Sequence, residues 1–88
     1  MKYKVTYSKH ADKWFLKADK TVVKMIYAWI EKNLVDAQNP REHGKVLVGE
    51  LSGLWRYRVG DYRIICEICD KEVVIQIIEV GHRSKIYN

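Results

Sequence analysis

Arg56, Arg58, Arg63 and Arg83, together with His82 and Tyr87, are the side chains of this 88-residue chain best suited to chemistry on a phosphodiester. In the run Leu54-Trp55-Arg56-Tyr57-Arg58-Val59-Gly60-Asp61-Tyr62-Arg63-Ile64-Ile65, Trp55, Tyr57 and Val59 alternate with Arg56 and Arg58, which is the period-2 pattern of a half-buried strand. Gly60-Asp61 reads as a two-residue hairpin loop, because glycine takes up the positive φ needed at its first position. Such a loop sets Val59 against Tyr62 and Arg58 against Arg63. Like charges directly opposite one another destabilise a strand pair, and Arg56 lies on the same face. An ordinary solvated face would intersperse acids among the bases. Guanidiniums gathered in this way suit a phosphate, which they hold through paired N–H donors and whose developing charge they can stabilise.

Gly81-His82-Arg83 is expected to leave the last strand at the Tyr62–Arg63 end of the hairpin, bringing a fourth arginine and a histidine to the same corner. His82 can serve as acid or base near neutral pH. Tyr87, close to the end of the chain, offers a ring to stack on an unpaired base. No carboxylate cluster for a divalent metal accompanies them, since Asp61 and Glu79 stand alone. The residues favour a reaction without metal or cofactor: an RNA 2′-hydroxyl attacks the adjacent phosphorus and expels the 5′-oxygen.

The elements that must position these groups follow from spacing. Residues 2–7 read as a first strand, with Tyr3, Val5 and Tyr7 alternating against Lys2, Lys4 and Thr6. Ser8 can cap a helix carrying Ala11, Trp14, Phe15 and Ala18 at helical spacing, and Asp19 can cap a second through Val22, Val23, Ile26, Trp29, Ile30 and Leu34. With almost no linker they form a helical hairpin, whose apolar stripe is core. Asn39-Pro40 ends the second helix. Residues 41–53, polar and interrupted by Gly44, Gly49 and Gly53, read as a connection with at most a turn of helix or a short edge strand. Strands over 54–59, 62–68 and 72–80 complete an α+β fold: a two-helix hairpin on one face of a mainly antiparallel sheet of about four strands, forming one domain over 1–88. The helices are expected to cover Trp55, Tyr57, Val59, Tyr62, Ile64, Cys66, Ile68, Val73, Ile75 and Ile77. Arg56, Arg58, Arg63, Ile65, Glu67, Val74, Gln76 and Ile78 belong to the solvent side.

Sixteen Lys+Arg against eleven Asp+Glu give a net charge of +5 and a pI near 9.3, which favours a polyanion or an acidic protein as partner. The first residues enter strand alternation without an apolar leader, and no apolar run is long enough to span a membrane, so a cytoplasmic protein is expected. Cys66 and Cys69 form a C-x-x-C, but zinc needs two further ligands at suitable spacing, and the pair differs in strand parity. Thiols of a reducing compartment are the better reading.

Strand, two helices and three strands, with Leu51-Ser52-Gly53, the arginine hairpin and a terminal Val80-Gly81-His82-Arg83…Tyr87, resemble the RelE-type toxins of bacterial toxin–antitoxin pairs over essentially the whole chain. The resemblance implies a ribosome-dependent, metal-independent endoribonuclease that cuts mRNA in the A site, leaves a 2′,3′-cyclic phosphate, and is restrained by a bound antitoxin. Carried over by position, it implies that Arg56 orients phosphate, Arg58 occupies the place of a general base in lysine-bearing members, and Arg63 clamps phosphate. It further implies that Arg83 neutralises or protonates the leaving group and that Tyr87 stacks on the target base. Lys45 and Lys85 are read as RNA-contact charges, and His10 and His43 as surface or cap residues.

Arginine is effectively never deprotonated, so Arg58 cannot be a conventional base. His82, Lys45 or another loop residue, or positioning and electrostatics alone, remain as alternatives. Two other functions fit parts of the pattern: a ParE-like inhibitor of DNA gyrase with the same fold and no nuclease chemistry, and a non-enzymatic RNA-binding module. The full arginine set and the terminal tyrosine argue for the nuclease.

Overall fold

The computed structural model describes residues 1–86. Strand β1 (Lys4–Tyr7) leads into helices α1 (Lys9–Lys17) and α2 (Lys20–Asn33), followed by β2 (Lys45–Val46), β3 (Trp55–Val59), β4 (Tyr62–Cys69) and β5 (Val74–His82). The helix starts follow from their caps. Ser8 Oγ accepts from the Ala11 N–H at 3.0 Å and its hydroxyl donates to the Ile78 carbonyl at 2.8 Å, so the cap also ties α1 to the sheet. Asp19 Oδ1 accepts from the Thr21 and Val22 N–H groups at 2.8 and 3.4 Å. Among the described residues, no helix is long and apolar enough to cross a membrane.

The sheet has five strands in the order β1-β5-β4-β3-β2, with β1 parallel to β5 and the other pairs antiparallel. The fifth strand beyond the expected four is β2, a two-residue edge formed from the glycine-punctuated connection. One face packs against the helices through Phe15, Ile26, Ile30, Tyr57, Val59, Ile64, Cys66, Ile75, Ile77 and Val80. Burial pushes the Cys66 thiol well above its ordinary range, which suits a core residue better than a reactive one.

Two features depart from the alternation. The β4–β5 ladder pairs Ile65 with Glu79 but Cys66 with Ile77, so Ile78 is an extra residue in β5. Beyond that bulge the parity of β5 reverses, and Val80 joins Ile75 and Ile77 in the core. The second face, expected to be open to solvent, carries its own small cluster of Leu47, Ile65 and Ile86, with Leu51 and Leu54 packed on it. The connection after α2 folds across this face, because its leucines need cover that the helix side cannot provide.

Candidate functional site

The hairpin places its charges as its spacing dictates. Gly60 has φ +59° at the tip, Val59 pairs with Tyr62, and Arg58 stands opposite Arg63. Across the neighbouring ladders Lys45 pairs with Arg56, Arg56 with Ile65, and Arg63 with Gly81, so Lys45, Arg56, Arg58 and Arg63 share the face away from the helices. Arg58 is exposed, whereas Arg56 and Arg63 are each only 8% exposed. Burial of two guanidiniums is unusual for a solvated strand face.

Arg63 donates through one terminal nitrogen to the carbonyls of Gly60 at 3.2 Å and Tyr62 at 3.1 Å, which fixes its head beneath the turn. Its pKa lies below the ordinary arginine value, first because it is buried and then because Arg58, Arg56 and Arg83 repel its charge. It remains a cation, but one that gains from a nearby anion. Arg83 reaches the same corner from the end of β5: its N–H donates to the Asp61 carbonyl at 2.8 Å, and its Nε lies 3.8 Å from Asp61 Oδ1. Both side chains are mostly exposed, so this loose pair leaves Arg83 able to turn toward a ligand.

A cavity of about 320 Å³ opens beside this row, lined by Trp29, His43, Gly44, Lys45, Arg56 and Arg58. It lies where β2 stops, since β2 pairs with Trp55 and Arg56 alone and leaves the rest of that edge of β3 unpaired, its other edge being held by β4. The segment bordering it is anchored by two core aromatics. Trp55 Nε1 donates to the His43 carbonyl at 2.6 Å, and Tyr57 donates its buried hydroxyl to the Pro40 carbonyl at 2.6 Å. At the far end of the sheet Arg41 makes two 3.0 Å bonds to the Asp70 carboxylate, which also accepts from the Tyr3 hydroxyl at 2.7 Å. Trp29, read from its spacing as core, and His43, read as a surface or cap residue, therefore border the basic row. Only the fold of residues 37–46 brings them there.

His82 does not join the arginines. It pairs with Tyr62, and its ring packs edge-on against the Tyr62 ring at 5.4 Å, while Tyr62 meets Trp14 of α1. This is the helix-covered side of the sheet, reached because of the Ile78 bulge. His82 Nδ1 accepts from the Ser84 N–H at 3.1 Å and lies 2.8 Å from Ser84 Oγ. Its cavity, about 390 Å³, is shared with His10, Glu79 and Lys85, so Lys85 too is set apart from the basic row. Tyr87 lies outside the described residues. Among the described residues, no group of three or more His, Cys, Asp or Glu side chains is placed to hold a metal ion.

Comparison with known proteins gives a consistent set of relatives. A family model described as the ParE toxin of type II toxin–antitoxin systems matches residues 5–87. Toxin RelG of Mycobacterium tuberculosis is 37% identical over 51 residues, which cover 58% of this chain and 59% of that protein. Toxin RelE of the same organism is 41% identical over 49 residues, covering 56% of this chain and 50% of that protein. The match thus spans only half to three-fifths of the length of these curated relatives. Among solved structures, the toxin–antitoxin complex RelBE2 from Mycobacterium tuberculosis contains a chain that superposes with a TM-score of 0.84 at 26% identity, covering 97% of this chain and 95% of that one. A chain of the intact Escherichia coli RelBE complex superposes with a TM-score of 0.71 at 23% identity, covering 91% and 95%, a likeness of fold.

Proposed function

This chain belongs to the RelE/ParE family of type II toxins, and on that premise we propose that it is a metal-independent, ribosome-dependent endoribonuclease that cuts mRNA in the A site and so stops translation. The observation that carries the proposal is the single sheet face shared by Lys45, Arg56, Arg58 and Arg63, with Arg83 at its corner. A row of cations that includes two buried guanidiniums, one of them held by two carbonyls, is suited to one phosphate and the charge that grows on it, because stabilisation by preorganised groups needs no rearrangement at the moment of reaction.

In this reading Arg63, held beneath the turn by two carbonyls, clamps a non-bridging oxygen, and Arg56 and Arg58 orient the phosphate from β3. Arg83 is free enough to neutralise the departing 5′-oxygen. Tyr87 stacks on the target base. The 2′-hydroxyl attacks in line, giving a 2′,3′-cyclic phosphate and a 5′-hydroxyl end. His82 and Lys85, on the other side of the sheet, become RNA or ribosome contacts. A cognate antitoxin holds the toxin inactive, and the structurally similar RelBE proteins are toxin–antitoxin complexes.

A second reading, a gyrase inhibitor, is favoured by the description of the matching family model as ParE. One experiment separates the two. Primer extension on mRNA from translating ribosomes, with wild-type toxin beside Arg83→Ala, should show codon-phased cuts that require the ribosome and vanish in the variant. Intact message with inhibited supercoiling would establish the gyrase reading instead.

A further inference from the structure

We infer that His43 is the general base of the cleavage reaction, taking the proton from the attacking 2′-hydroxyl. This rests on the nuclease reading above and supplies the group that it lacks. Arg56, Arg58 and Arg63 cannot accept a proton at neutral pH. His82 packs against Tyr62 on the helix side, and His10 lies beside it, 3.9 Å from Glu79. His43 is the histidine that shares a cavity with Lys45, Arg56 and Arg58.

Its placement suits the task. The main chain of His43 is fixed by the Trp55 indole at 2.6 Å, and its ring sits edge-on to Trp29 with centroids 6.0 Å apart. His43 thus borders the cavity with its ring against Trp29, and its side chain remains 42% exposed and open to a ligand. Glu42 Oε1 lies 3.8 Å from His43 Nε2. Lys45 on β2 and Arg56 and Arg58 on β3 line the same cavity as His43, and Lys32 of α2 lines an adjoining cavity that His43 also borders. The neutral imidazole is the form that can accept the 2′-hydroxyl proton.

The step balances without a further reactant. The 2′-O–H bond breaks and its proton moves to the imidazole, the O2′–P bond forms, and the P–O5′ bond breaks. The 5′-oxygen takes a proton from solvent, to which His43 then returns the one it accepted.

The test is the single-turnover rate of mRNA cleavage on programmed ribosomes between pH 5.5 and 8.5, for wild type, His43→Gln and His43→Ala. The expected result is a wild-type rate that rises with pH through the imidazole range. His43→Gln should be slower by about 10²-fold or more and flat over that range, with unchanged melting and ribosome affinity. Added imidazole should restore part of the rate to His43→Ala. A His43→Gln rate within threefold of wild type, or a slow variant that keeps the wild-type pH profile with no rescue of His43→Ala, overturns the assignment and leaves the nuclease reading standing. A wild-type protein that cuts nothing on the ribosome overturns both.

Discussion

Arg58 and Arg63 stand directly opposite each other across the β3–β4 ladder, one exposed and the other buried beneath the turn that joins their strands. A sheet optimised for stability would not choose this pair. The fold holds it by giving the Arg63 head two carbonyl acceptors at 3.1 and 3.2 Å, so that part of the repulsion and desolvation is compensated locally. On the proposed function, an anion arriving here would relieve the remaining repulsion, so that phosphate binding would be coupled to the stability of the hairpin.

Replacing Arg58 by glutamine should therefore stabilise the protein while disabling it. Relief of a directly opposed like-charge pair is worth about 0.2–1 kcal/mol, visible as a higher melting temperature at low salt. The gap between variant and wild type should shrink as salt is raised, because exposed charges are screened. Cleavage on the ribosome should fall by about 10²-fold or more, the loss typical for removal of one group that stabilises developing charge. A variant that melts lower than wild type in low salt would show that the pair is not strained.

Asp70 should contribute to the acid limb of stability. Its carboxylate is held below the ordinary carboxylate range by the Arg41 guanidinium first and the Tyr3 hydroxyl second. A group whose pKa is depressed in the folded state contributes stability above its unfolded pKa, and loses it as pH falls through the folded value. Wild type should accordingly melt above Asp70→Asn at neutral pH, and the gap should close below roughly pH 4. Melting curves at pH 7, 5, 4 and 2.5 read this directly, and a gap that does not narrow at all from pH 4 to pH 2.5 would assign the effect to packing.

Much of this architecture was legible in the chain because its signals are local. Ser8 and Asp19 fix the helix starts by capping, and Gly60-Asp61 sets the hairpin register from which the Arg58–Arg63 pairing follows. The place of His82 was not legible. A strict alternation from Val74 and Gln76 carries residue 82 to the arginine face, and the extra residue at Ile78 turns it to the other side. A bulge depends on how two strands meet, and no single residue type announces it. His43 was hidden for a related reason: its neighbours Trp29 and Arg58 are distant in sequence, and the connection that joins them is ordered by long-range bonds from Trp55 and Tyr57.

The same connection supplies the sharpest stability test. Gly44 has φ +78°, and a Cβ built on it would lie 2.2 Å from the Arg56 carbonyl oxygen, 2.7 Å from the Trp55 indole nitrogen and 2.9 Å from the Tyr57 ring. The first of these is backbone, so the connection itself must move. Gly53 has φ +92°, but a Cβ there would meet nothing within 4 Å. Gly53→Ala should cost only the strain of a left-handed residue, about 1 kcal/mol. Gly44→Ala should cost that and about 1–3 kcal/mol more from overpacking. It should also displace His43 and Lys45 from the cavity, so that cleavage falls further than the lost stability explains. Urea denaturation of the two variants, with ribosome cleavage assayed well below the midpoint, separates these effects. Equal stabilities for Gly44→Ala and Gly53→Ala would mean that the connection yields freely, and that the cavity wall is not held in place by β3.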